Sequence, residues 1–135
     1  MEKEDELIDI YSYQAEIFGK SYYMMGNLLD KAFVKREVDR RQLTEIFIYG
    51  GGYLGIQLYR AISPFVSVLS VVDKKGKLLI DTIDDVPVMD MEAFVQQYGN
   101  QPVIVTPLKF YHEIYRDLKE LVPEDKIIFL QEFGR

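Results

Sequence analysis

The chain has no cysteine, no tryptophan and a single histidine, His112. The first absence excludes disulfides, thiolate metal sites and cysteine nucleophiles, and it fits a reducing compartment. A lone histidine cannot assemble an imidazole metal cluster, so no metal site is expected. A basic excess is missing too: the formal net charge is −6 and the pI about 4.8, and no cationic footprint favours nucleic acid or an anionic membrane. No uncharged run approaches the roughly 20 apolar residues a membrane helix needs. The N-terminus opens on acidic Met-Glu-Lys-Glu-Asp-Glu in place of a basic signal region. These absences predict a soluble cytoplasmic protein that binds neither nucleic acid nor membrane. At 135 residues the chain suits one domain with a real core, and it is short for an enzyme with a separate substrate domain.

What is present is organised around residues 45–55, Glu-Ile-Phe-Ile-Tyr-Gly-Gly-Gly-Tyr-Leu-Gly. Ile46 to Tyr49 has the length and branching of a buried parallel strand, and Leu54 to Ile62 has helical spacing. Gly50, Gly52 and Gly55 between them fill the G-x-G-x-x-G template of a dinucleotide-binding turn. In that geometry Gly50 permits the tight turn out of the strand, Gly52 leaves room for a diphosphate, and Gly55 lets the helix lie close. The amides of Gly50, Gly51, Gly52, Tyr53, Leu54 and Gly55, with the positive end of the helix dipole, are the predicted phosphate seat. A second apolar run, Val66 to Val72, ends in Asp73, close to the ~20-residue spacing at which an acid meets the ribose hydroxyls. An acid there favours NAD; the neighbouring Lys74 and Lys75 would suit a 2′-phosphate, which keeps NADP as the less favoured cofactor.

Residues 1–42 differ in character. Apolar side chains at Leu7, Ile10, Tyr11, Ile17, Phe18, Met25, Leu28 and Leu29 recur at spacings of three and four, and predict one long helix or two shorter ones. Tyr13, Tyr22, Tyr23, Met24 and Phe33 lie off that stripe, which is more apolar surface than one helix face needs. The segment is therefore expected either to cover a sheet face or to form a homodimer. Its basic close, Lys35-Arg36-Glu-Val-Asp-Arg40-Arg41, reads as a solvated helix end favoured by the dipole.

After Asp73 come a polar turn, a short edge strand at Leu78 to Ile80, and the acids Asp81, Asp84 and Asp85. These acids lack the ordered glycine and terminal glutamate of an EF-hand and read as an exposed turn. Met91 to Tyr98 is a predicted helix capped by Asp90 and stopped by Gly99, and Pro102 to Thr106 a buried strand. Thr106 to Lys109 lies at that strand's carboxyl end, where open parallel sheets bind ligands; Thr106 is a candidate contact, or a helix cap with Pro107 at the first helical position. The helix to Val122 is expected to bury Tyr111, Ile114, Tyr115, Leu118 and Leu121, and Lys126 to Leu130 is a last strand. Tyr115 and Lys119 match the Tyr-x-x-x-Lys pair of short-chain dehydrogenases, but Tyr115 falls on the core stripe and the pair sits too soon after the glycine turn. No residue stands out as a general base or nucleophile, and catalytic residues stay unassigned.

The succession Ile-Phe-Ile-Tyr-Gly-Gly-Gly-Tyr-Leu-Gly-Ile-Gln-Leu-Tyr-Arg-Ala-Ile, Val-Val-Asp, Asp-Val-Pro-Val, Val-Ile-Val-Thr and Tyr-His-Glu-Ile-Tyr-Arg-Asp-Leu-Lys resembles the small Rossmann-type domain of bacterial surface-polysaccharide proteins. That domain stands at the front of capsular sugar-nucleotide dehydratases and epimerases and beside some glycosyl- and methyltransferases. The resemblance covers about residues 44–131. It implies a nucleotide-binding or CoA-binding-like module accompanying a catalytic domain, with Gly50, Gly52, Gly55 and Asp73 in the binding roles. Gly51 stands where relatives usually carry alanine, and the Ser, Tyr and Lys of the full enzymes have no matched positions.

The expected architecture is α/β: a Rossmann-like three-layer αβα domain over residues 43–135, with a mostly parallel sheet of four to five strands, preceded by the helical segment 1–42. The expected function is binding of NAD or a sugar nucleotide as an accessory to sugar-nucleotide or polysaccharide biosynthesis. An NAD-dependent epimerase, dehydratase or oxidoreductase completed by another domain or subunit is the alternative. S-adenosylmethionine binding ranks lower, because Tyr49 stands where methyltransferases commonly have an acid before the loop.

Overall fold

The computed structural model describes residues 26–73, 82–83, 86–107 and 111–134. Leu7 to Met25, Lys74, Leu78 to Ile80, Asp81, Asp84, Asp85 and Lys109 lie outside these residues, as do the expectations attached to them.

Helical residues 26–28 precede a break at Leu29 and Asp30, and helix α1 follows at Lys31–Arg41. Asp30 starts it by accepting from the Ala32 and Phe33 amides at 3.0 and 3.3 Å, the side-chain cap that orphan N–H groups require. Gln42, at φ 55°, ends it in the left-handed region. Strand β1 is Glu45–Tyr49, helix α2 Tyr53–Ile62 and strand β2 Ser67–Val72. A two-residue strand β3, Thr82–Ile83, precedes β4, Val86–Met89, and helix α3, Met91–Gln97, is capped by Asp90 through the Ala93 amide at 2.9 Å. Strand β5, Val103–Val105, helix α4, Tyr111–Leu118, a 3₁₀ turn, strand β6, Ile127–Phe129, and a second 3₁₀ turn, Leu130–Glu132, complete the order of described elements.

The sheet order is β3-β4-β2-β1-β5-β6. Five strands are mutually parallel, and β3 alone runs antiparallel, against the outer edge of β4. Alternating side chains send the two faces into two cores. On one face Ile46 and Ile48 of β1, Val71, Ile104 and Ile128 meet Val34 and Val38 of α1 and Leu58 and Ile62 of α2. On the other, Phe47, Tyr49, Val72, Val103, Val105 and Ile127 meet Phe94 of α3 and Ile114 and Leu118 of α4. The result is a three-layer αβα domain, Rossmann-like in general shape, and α1 shares its core.

Several local expectations shift. Leu29 was placed on the buried stripe, yet it is 78% exposed, because it occupies the break between two helical stretches; Val34 and Val38 do the burying. Tyr111, expected on the buried face of α4, is exposed. Residues 108–110 lie outside the described residues, and with them the expectation that Thr106 caps the following helix.

Candidate functional site

β1 is the sheet's switch point: its neighbours are β2 on one side and β5 on the other, the chain crossing from β1 to β2 on the first side and returning from β4 to β5 on the second. The carboxyl ends of these strands therefore diverge there and leave a crevice. Three main-chain bonds gather them. The Gly50 amide donates to Val72 O at 2.7 Å, the Thr106 amide to Tyr49 O at 3.0 Å, and the Asp73 amide to Met89 O at 2.9 Å.

The glycines of the turn answer to different constraints. Gly50 sits at φ +113°, a region L side chains avoid, and a β-carbon there would stand 2.5 Å from Thr106 Oγ1 and 2.8 Å from Pro107 Cδ. A β-carbon at Gly55 would lie 1.8 Å from Gly50 O, so only glycine lets α2 start this close beneath the turn. At Gly51 it would meet the Asp73 carboxylate at 3.0 Å. Gly52 is the exception: its φ of −81° suits any residue, and nothing lies within 4 Å of where its β-carbon would be. The fold has no internal need for glycine at this position.

Gly52 is also the N-cap of α2 and offers no side chain to close it, and the first turn contains no acid. A helix start so left presents amide donors and the positive dipole end outward. Tyr53, the first helical residue, is 67% exposed beside it, while Leu54 is half-buried against the core.

Asp73 turns toward the glycine turn, and its Oδ2 accepts from the Gly51 amide at 2.9 Å. The acid predicted from spacing thus stands at the turn's flank. Thr106, 2% exposed, directs its hydroxyl inward, donating to Tyr49 O at 3.0 Å and approaching Gly50 O at 3.4 Å. It bolts β5 to the end of β1, and in this state its side chain faces the backbone. Tyr49 lies buried beneath the turn. Burial first, then the nearby carboxylates of Asp117 and Asp73, push its phenol above the usual tyrosine range.

A second polar cluster escaped sequence reasoning. Glu37 is buried in α1; its Oε2 accepts from Arg40 Nη2 at 2.6 Å and Arg41 Nε at 3.2 Å, and its Oε1 from the Gly134 amide at 2.9 Å. Arg41 also donates to Glu132 O at 3.0 Å and lies 5.4 Å over the Phe133 ring. The basic end of α1, expected to be solvated, is therefore partly a clamp on residues 132–134. The local signal was Glu37 at three and four positions before the arginines; its distant partners carried none.

Among the described residues no group of acids and histidines is placed to hold a metal ion, and no helix is long and apolar enough to cross a membrane. Compared with known proteins, the chain matches no family model, and no curated protein or solved structure is significantly similar to it.

Proposed function

We propose that this domain is a nucleotide-binding module whose glycine turn seats a diphosphate. The observation that carries the reading is Gly52: glycine stands where the fold would accept a larger residue, at an uncapped helix start that looks out of the sheet's switch point. A β-carbon is excluded there by what must approach from outside, and main-chain amides with a helix dipole select an anion. Asp73, at the flank of the turn, is the acid this reading assigns to a ribose diol, which favours NAD over NADP, or a sugar nucleotide of the same build. Backbone donors and one acid bind; a general base or nucleophile is needed to react, and none has been assigned. The resemblance stated for residues 44–131 supplies the context: an accessory role beside an enzyme of sugar-nucleotide or polysaccharide biosynthesis. A homodimer through the surplus apolar surface of the N-terminal segment belongs to the same proposal.

Calorimetric titration of the full chain with NAD, NADP, a UDP-sugar and S-adenosylmethionine tests it. NAD or the UDP-sugar is expected to bind, and Gly52→Ala to lose that binding while melting normally. Binding of none would overturn the reading, and turnover of NAD with a UDP-sugar by this chain alone would replace the module with an enzyme.

A further inference from the structure

A groove of about 380 Å³ lies away from the glycine turn, between the break that precedes α1 and the outward side of α2. Leu28 and Leu29 form one wall, and Gln57, Arg60, Ala61 and Pro64 form the other. The second set recurs at three and four residues, so it is one continuous face of α2 and the loop that ends it. Ala61 at its centre permits close approach by a helix, while Lys31 and Arg60 supply cations along the walls. Leu29 is the most exposed large apolar residue described.

We propose that this groove receives residues 7–18 of the same chain, docked through Leu7, Ile10, Tyr11, Ile17 and Phe18. Three observations point to that occupant. The apolar residues of 7–18 repeat at the three-and-four spacing of a helix face, the form that fills a groove beside another helix. Charge is complementary at the edge of the contact: Glu4 and Glu6 flank that stripe at helical spacing, and Lys31 and Arg60 line the groove. Connectivity favours docking within one chain. Helical residues 26–28 are joined to α1 by Leu29 and Asp30 alone, and helix connections this short turn the chain back against its neighbour. The tether ends at Leu28, itself in the wall, which raises the local concentration of the segment to the millimolar range, about 10³-fold above a micromolar solution of free copies. The off-stripe Tyr13, Tyr22, Tyr23 and Met24 are left for the homodimer contact, so the two proposals stand on different residues.

The absence of cysteine makes a cross-linking test clean. In the full chain, Gln57→Cys is paired in turn with Ile10→Cys, Gln14→Cys, Ile17→Cys and Phe18→Cys, spanning the reach a disulfide needs, and oxidised at micromolar concentration. At least one pair is expected to close within a single chain, giving a faster-migrating monomer on a non-reducing gel. Adding Leu29→Glu, at a position 78% exposed and outside the core, is expected to lower the yield of that species at least tenfold. Cross-links found only between copies, no cross-link in any pair, or a yield unmoved by Leu29→Glu would each overturn docking within the chain. The homodimer is read separately by sedimentation of the unmodified chain: a monomer at micromolar concentration removes the dimer and leaves this inference standing.

Discussion

The glycine turn and the Glu37 cluster are both polar constructions in a mostly apolar fold, and they face opposite ways. Glu37 gathers two arginines and the Gly134 amide around one buried carboxylate; its groups are turned inward and satisfied by the chain itself. At the turn, Asp73 Oδ2 accepts from the Gly51 amide, and the next residue, Gly52, presents an uncapped helix start over empty space. Buried polar groups need partners, so the inward cluster is explained by folding alone. The outward one is not, and it is where the proposed nucleotide would sit.

The contrast breaks first at Gly55. Gly55→Ala must displace the Gly50 carbonyl, and a loss of about 3 kcal/mol or more is expected from overpacking against backbone, read as a shifted urea midpoint. A tolerated alanine would mean that α2 does not start where it is described. Gly50→Ala should follow closely, since strain at φ +113° adds to the Thr106 contact.

Next comes Glu37→Ala, expected to cost about 2 kcal/mol, the scale of lost charge-assisted hydrogen bonds. It stays near that figure because Arg40 and, in part, Arg41 retain access to water. Loss of protection at the Gly134 amide in hydrogen exchange would accompany it.

The same residue sets a pH dependence. Burial alone would raise the Glu37 carboxyl, but hydrogen bonds from Arg40, Gly134 and Arg41 outweigh it and hold the group below its usual 4.5. A depressed carboxylate contributes its stability in full above the unfolded value and loses it as pH falls through the folded one. The acid limb of a melting-temperature profile below about pH 4.5 should therefore flatten in Glu37→Gln, and an unchanged limb would show the cluster to be solvated.

The smallest stability effect is expected where the binding effect is largest. Gly52→Ala should change stability by less than about 1 kcal/mol, since the lost freedom of glycine in the unfolded chain and the poorer cap oppose each other. Nucleotide binding should nevertheless fall at least tenfold. If stability fell as far as in Gly55→Ala, Gly52 would be a structural glycine like the others and the comparison would collapse. On the surface, Lys35→Ala breaks an exposed pair with Asp39 and should move stability by about 0.3 kcal/mol.

Much of the fold was legible because it rests on local rules. Apolar branched runs at β1, β2 and β5 read as buried parallel strands, Asp90 announced α3, and the glycine spacing announced the strand-to-helix turn. The Gly50 to Asp73 spacing placed the acid beside the turn, since one βαβ unit of ordinary length brings the two strand ends together. Thr106 was half legible: its strand end was expected at the crevice, but nothing local announced that its hydroxyl would donate to Tyr49 O, 57 residues away on β1. Leu29 misled because apolar spacing does not reveal where a helix breaks. Glu37 was invisible as an anchor, because its partner Gly134 lies 97 residues away.

Sequence by itself determined the period of each element, the run of glycines that marks the turn, and the charge that disfavours a polyanion. Tertiary structure alone decided which of those glycines the fold requires and which it does not, since that depends on atoms brought from β2, β5 and α2 to within a few ångströms of one bend. Spacing along a chain specifies directions, whereas the room left at a point in space depends on every element that converges there.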